Sequence, residues 1–121
     1  MTYFSGFVLA VPEANRKAYV DHARKSWPFF TKYGALRMIE NWGVDVPDGK
    51  LTDFRKAVKA EPGEAVLFSW IEWPDRATCD AAWAKMMQDP EMESMGKDMP
   101  FDGKRMFWGG FEPVFDSGAK A

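Results

Sequence analysis

One cysteine and one histidine occur among 121 residues. A lone cysteine cannot close an internal disulfide, and with one histidine beside it the usual tetrahedral zinc sets cannot be assembled, so neither a staple nor a metal is expected. There is no long apolar run either. The longest, Phe7 to Val11, falls far short of the ~20 residues that span a bilayer, and no basic segment leads into an apolar stretch as in a signal peptide. Charge of one sign is also missing. Sixteen basic residues against eighteen acidic ones give a net charge of -2, which excludes the broad positive field that drives nucleic-acid binding. These absences describe a soluble, cytoplasmic protein with no membrane or nucleic-acid partner and no cofactor. A chain of this length buries roughly two-thirds of its unfolded surface, enough for a single domain over residues 1–121 with its own core.

What the chain has in plenty is aromatic and sulfur-bearing side chains: six Trp, ten Phe, three Tyr and eight Met. Residues 3–11 (YFSGFVLAV) form a β-rich apolar run that ends at Pro12. Residues 13–34 then take helical spacing, with Tyr19, Ala23, Trp27 and Phe30 on one face, an interruption at Pro28 and a stop at Gly34. Residues 36–46 read as a second strand and 64–73 as a third, ending before Pro74. Asp75 is placed to cap a second helix carrying Cys79, Ala82, Trp83, Met86 and Met87 inward, and Asp89-Pro90 starts a short third helix. The stretch 104–115 (KRMFWGGFEPVF) supplies the last strand.

The order β-α-β-β-α-β predicts a ferredoxin-like α+β fold, a four-stranded antiparallel sheet with its helices on one face. A weak internal duplication agrees, since a displacement that carries Pro12 onto Pro74 also superposes strand on strand and helix on helix. The last two strands are apolar on both parities, so the face turned away from the helices needs a cover. A homodimer that packs two sheets together, a dimeric α+β barrel, provides one. Residues 47–63 form an unusually long connection, with Thr52 or Asp53 placed to cap a turn or two of helix, and connections of that length tend to be functional or to meet a partner.

The segments DVPDGKLTDFRKAVKAEPGEAVLFSWIEWP (45–74), AKMMQDPEM (84–92) and MPFDGKRMFWGGFE (99–112) closely resemble the short bacterial YbaA-like proteins, a family carrying a domain-of-unknown-function label. The resemblance extends over essentially the whole chain. It implies the dimeric α+β-barrel superfamily and no established activity. That superfamily includes cofactor-independent monooxygenases, haem-degrading enzymes, lactone isomerases and stress-response proteins, so the fold alone selects no chemistry.

Among individual residues, His22 and Glu40 are the candidate catalytic groups. His22 stands at the edge of the buried helical face, where an imidazole can serve as general base or simply hydrogen-bond. Glu40, like Glu72, is a carboxylate inside an apolar strand; it is expected either to be buried with a raised pKa or to pair with Arg37 or Arg105 at the barrel rim. Trp27, Phe30, Trp70 and Trp83 are the candidate walls of a pocket for a small apolar or aromatic molecule between helices and sheet. The blander alternative for all four is core and interface packing. Cys79, on an apolar stripe, reads as a small hydrophobe. Two Asp-Gly-Lys stretches, at 48–50 and 102–104, have ordinary turn chemistry without the spacing of a phosphate loop.

Overall fold

The first strand, β1 (Tyr3–Pro12), runs through the middle of a four-stranded antiparallel sheet in the computed structural model, which describes residues 2–97 and 99–118. On one side β1 pairs with β3 (Glu64–Trp73), from Tyr3 opposite Trp73 to Pro12 opposite Glu64. On the other it pairs with β4 (Phe107–Phe111), from Phe4 opposite Phe111 to Val8 opposite Phe107. The remaining edge is β2 (Arg37–Trp42), paired with β3, so the order is β2-β3-β1-β4. Helix α1 (Arg16–Lys32) follows a 3-10 turn at Glu13–Asn15 and contains Pro28; helix α3 (Arg76–Met86) follows β3. Short helices α2 (Phe54–Ala57) and α4 (Pro90–Met95) lie in the connections.

Side chains alternate across the sheet, so the ladder register assigns each to a face. Tyr3, Ile71 and Trp73 meet Phe29 of α1 and Cys79, Ala82 and Met86 of α3 in the main core. Leu9, Val11, Ala65 and Leu67 form a second cluster around Tyr19. Polar atoms in this layer are matched: the Trp73 indole N–H donates to Ser5 Oγ at 3.1 Å, and Ser5 Oγ lies 3.6 Å from Cys79 Sγ. The helices start where carboxylates can cap them, with Asp75 accepting from Thr78 N at 2.7 Å and Asp89 from Glu91 N at 2.9 Å.

The other face carries Phe4, Val8, Ile39, Phe68, Trp70, Phe107 and Phe111. The chain's own long connection covers one end of this face. Asp53 caps α2 by accepting from Lys56 N and Gly49 N, and the chain then lays Val58 into a buried cluster with Ala10 and Val66. Phe54 packs on Phe68 with ring centroids 6.2 Å apart. One end of the face is closed in this way. Phe68, Phe107 and Phe111 nevertheless remain exposed.

Three expectations change. The last strand spans 107–111, not 104–115, because Arg105 belongs to a 3-10 turn and β1 pairs with it only as far as Phe4; Val114 and Phe115 are exposed beyond Pro113. The second strand ends at Trp42 rather than residue 46, because Gly43 turns against β3 and donates to the Val66 carbonyl at 2.8 Å. A Cβ at Gly43 would stand 2.5 Å from that carbonyl oxygen, so only glycine allows the approach. Met87, expected in the buried stripe, caps the end of α3 and is exposed.

Candidate functional site

Between α1, α4 and the helix-bearing face of the sheet lies a cavity of about 230 Å³, lined chiefly by aromatic and methionine side chains. Its position follows from the long side chains of Phe7, Met38 and Ile71 on the sheet, facing Ala23 and Ser26, two small residues of α1. Small residues on a helix facing large ones on a sheet leave a void unless another element fills it. Here α4 and the segment after it close the end with Met92, Met95 and Phe101.

The polar cluster at the cavity is built on Glu40. Tyr19 donates its hydroxyl to Glu40 Oε2 at 2.5 Å, and Ser69 Oγ donates to the same oxygen at 2.7 Å. The two donors come from α1 and β3, and β2 brings the acceptor; the ladder sets Glu40 directly opposite Ser69. Burial, and then the negative charge of Glu40, push the Tyr19 phenol well above its usual range, so it stays a neutral donor. Glu40 itself is exposed on the edge strand, with its second oxygen unbonded among the described residues. The expectations of a buried Glu40 or an arginine partner are therefore overturned. Its partners are hydroxyls: Arg105 is taken up by Glu64, and Arg37, three residues along the same strand and of opposite parity, makes no ion pair with it among the described residues.

His22 also borders the cavity. Its Nε2 lies 3.2 Å from the Met95 carbonyl oxygen, which can only accept, so Nε2 carries the hydrogen. Phe101 meets the imidazole edge-on at 6.3 Å and Tyr19 at 5.6 Å. Of the four candidate walls, Phe30 and Trp83 line the cavity and pack edge to face at 6.0 Å. Trp27 instead lines a groove outside it, together with Arg24, Arg37 and Glu40, the last of which borders both. Trp70 does not join them: the register sets it opposite Gly6, on the face turned away from the helices, where it lines an open groove with Phe4, Phe68 and Phe111. Parity groups Trp70 with Phe68 and Glu72 but does not say which parity meets the helices.

The sequence pattern did not single out Ser69, whereas Met92 and Met95 of α4 face inward as their place after Asp89-Pro90 suggests. A serine amid the apolar residues of β3, on the parity of Ile71 and Trp73, was the available signal. Cys79 is buried, which raises its thiol pKa and leaves it unreactive. Among the described residues no three His, Cys, Asp or Glu side chains gather to hold a metal ion, and no helix is long and apolar enough to cross a membrane.

A second polar cluster lies away from the cavity. Arg105 forms a two-pronged pair with Glu64, Nη1 to Oε1 and Nη2 to Oε2 both at 2.7 Å, and also donates to the Lys59 carbonyl at 3.0 Å and Asp102 at 3.1 Å. Hydrogen bonds from the guanidinium hold the Glu64 carboxyl down at about 2 despite its burial. The cluster ties the long connection, the start of β3 and the turn before β4 together.

An antiparallel sheet of this order, with α1 and α3 on one face, defines a ferredoxin-like α+β protein. A crystal structure described as a dimeric ferredoxin-like protein from an uncultured marine organism has the same fold, with a TM-score of 0.58 at 13% identity over 96% of this chain and 99% of that one. The chain belongs to the family described as "Protein of unknown function (DUF1428)", whose model matches residues 2–103. It is 57% identical over 116 residues to "Uncharacterized protein YbaA" of Escherichia coli (strain K12), covering 96% of this chain and 99% of the relative. The Shigella flexneri protein of the same name matches to the same extent.

Proposed function

We propose that the protein is a cytoplasmic homodimer that binds a small apolar or aromatic molecule in the cavity beneath α1. The observation that carries the binding reading is the cavity itself: about 230 Å³, partly open and lined by Phe30, Trp83, Met92, Met95 and Phe101, with one polar cluster at Glu40. A void of roughly 150 Å³ is enough for benzene, so this one suits a ring with a short substituent or a small bicycle. Methionines add adaptable, polarisable contacts. NMR titration with indole should shift resonances of Phe30, Trp83 and Met95 in a saturable way. Absence of saturable shifts, or binding undisturbed by a cavity-filling Met92→Trp change, would remove the reading.

The homodimer is supported by the exposed part of the sheet face and by the "dimeric" description of the structural neighbour. Sedimentation velocity at micromolar concentration tests it, and a monomer there would end it.

A second reading, a cofactor-independent oxygenase or isomerase, is favoured by the Glu40 cluster. A carboxylate anchored through one oxygen, with the other free beside an apolar cavity, has the form of a general base. His22 is the alternative proton acceptor. Oxygen-uptake and isomerisation assays on aromatic substrates, repeated with Glu40→Gln and His22→Ala, distinguish it from simple binding, since unchanged turnover in both variants removes these roles.

A further inference from the structure

The hydrogen-bonding inventory of the cavity is one-sided. Tyr19 and Ser69 spend their hydroxyl hydrogens on Glu40 Oε2, Ser26 donates to the Ala23 carbonyl at 3.0 Å, and His22 Nε2 donates to the Met95 carbonyl. Each side-chain hydroxyl among the lining residues, and the His22 ring N–H, is thus turned to the protein. What they leave for a ligand are acceptors: Glu40 Oε1, His22 Nδ1 and methionine sulfurs. Phe30, Trp83 and Phe101 line the same cavity, and an aromatic ring attracts a cation that comes to rest over its face.

Resting on the reading that the cavity binds a small molecule, the geometry points to a ligand that is an amine: an aromatic or apolar body carrying a protonated ammonium, seated with the ammonium at Glu40 Oε1. A carboxylic acid of the same shape would bring a negative charge to Glu40 and find the cavity's hydroxyls and the His22 N–H already committed. The two hydroxyls hold Glu40 Oε2 in place, so the free oxygen is oriented before the ligand arrives. Arg24 and Arg37 lie in the outer groove and not in the cavity lining, so they do not reverse its sign.

The test compares three probes of one shape, phenethylamine, 3-phenylpropionate and ethylbenzene, by NMR titration of the full chain. Phenethylamine should bind at least about tenfold more tightly than 3-phenylpropionate, the difference expected of one charge-assisted hydrogen bond. Glu40→Gln should erase most of that preference while leaving ethylbenzene affinity within about twofold. Glu72→Gln, on the opposite face of the sheet, should leave the preference unchanged, which separates a local contact from the effect of net charge. Equal or tighter binding of the carboxylate, or an amine preference that survives Glu40→Gln, overturns the inference while the cavity reading stands. Failure of all three probes to bind overturns both. Because Glu40 is exposed, the variant is expected to fold, and the wild-type probe comparison is decisive without it.

Discussion

Arg105→Met should destabilise the protein by about 2 kcal/mol at neutral pH, because it leaves the Glu64 carboxylate nearly buried without its cation. The methionine retains the apolar stem, so the loss is chiefly that of the two 2.7 Å hydrogen bonds to Glu64. The magnitude follows from the carboxyl itself. Lowering its pKa from 4.5 to about 2 corresponds to about 3 kcal/mol at roughly 1.4 kcal/mol per pH unit, and water's access to Arg105, whose side chain is 20% exposed, reduces this to about 2. The sign is set by the folded state binding the proton more weakly than the unfolded chain. The contribution is therefore complete above pH 4.5 and is lost as pH falls through about 2. Urea unfolding followed by tryptophan fluorescence between pH 2 and 7 reads both effects. The melting temperature of Arg105→Met should drop by about 8 °C at pH 7. Glu64→Gln should flatten the rise of stability between about pH 2 and 4.5 relative to the wild type, although Asp53, Asp75, Asp89 and Asp102, also lowered by hydrogen bonds, keep part of the slope. A loss below about 0.5 kcal/mol in Arg105→Met, or an unaltered slope in Glu64→Gln, would refute the reasoning.

Three other outcomes are expected. Gly110→Ala should cost about 1–3 kcal/mol in thermal or urea unfolding, since a Cβ there would stand 1.8 Å from the Tyr3 hydroxyl and Tyr3 is buried. Cys79 should resist an aromatic disulfide reagent in the folded protein and react fully in urea, being 3% exposed with its thiol pKa raised by burial; rapid labelling in the native state would contradict that placement. Phe111→Asp, on the exposed part of the sheet face, should convert the proposed dimer to monomer in sedimentation while the far-ultraviolet circular dichroism is preserved.

The order of elements could be read because punctuation and periodicity agreed. Pro12 and Pro74 close the two long strands, and Asp75 and Asp89 cap helices as their side chains suggest. Boundaries failed where apolar character outlasts pairing: Val114 and Phe115 look like strand but have no partner strand among the described residues, and the run after Trp42 is turned aside by Gly43. At the cavity, His22, Glu40, Phe30 and Trp83 come together, whereas Trp27 and Trp70 lie outside it. Side-chain parity is a local property, and the face each parity meets is decided by partners far along the chain. For Trp70 that partner is Gly6. The pairing of Glu40 with Tyr19 and Ser69 depends on the same distant registers, and no spacing in the sequence expresses it.

The central position of β1 also has a consequence in time. The strand made first must wait for residues 64–73 before one of its edges is paired, and for 107–111 before the other is. Until then an emerging chain carries Phe7–Val11 as an unpartnered apolar ribbon. Folding that depends on such distant contacts is slow relative to a helical bundle of equal size, and it begins in earnest only when most of the chain has been synthesised. During that interval the first strand, and not the finished sheet, is the segment most in need of a chaperone.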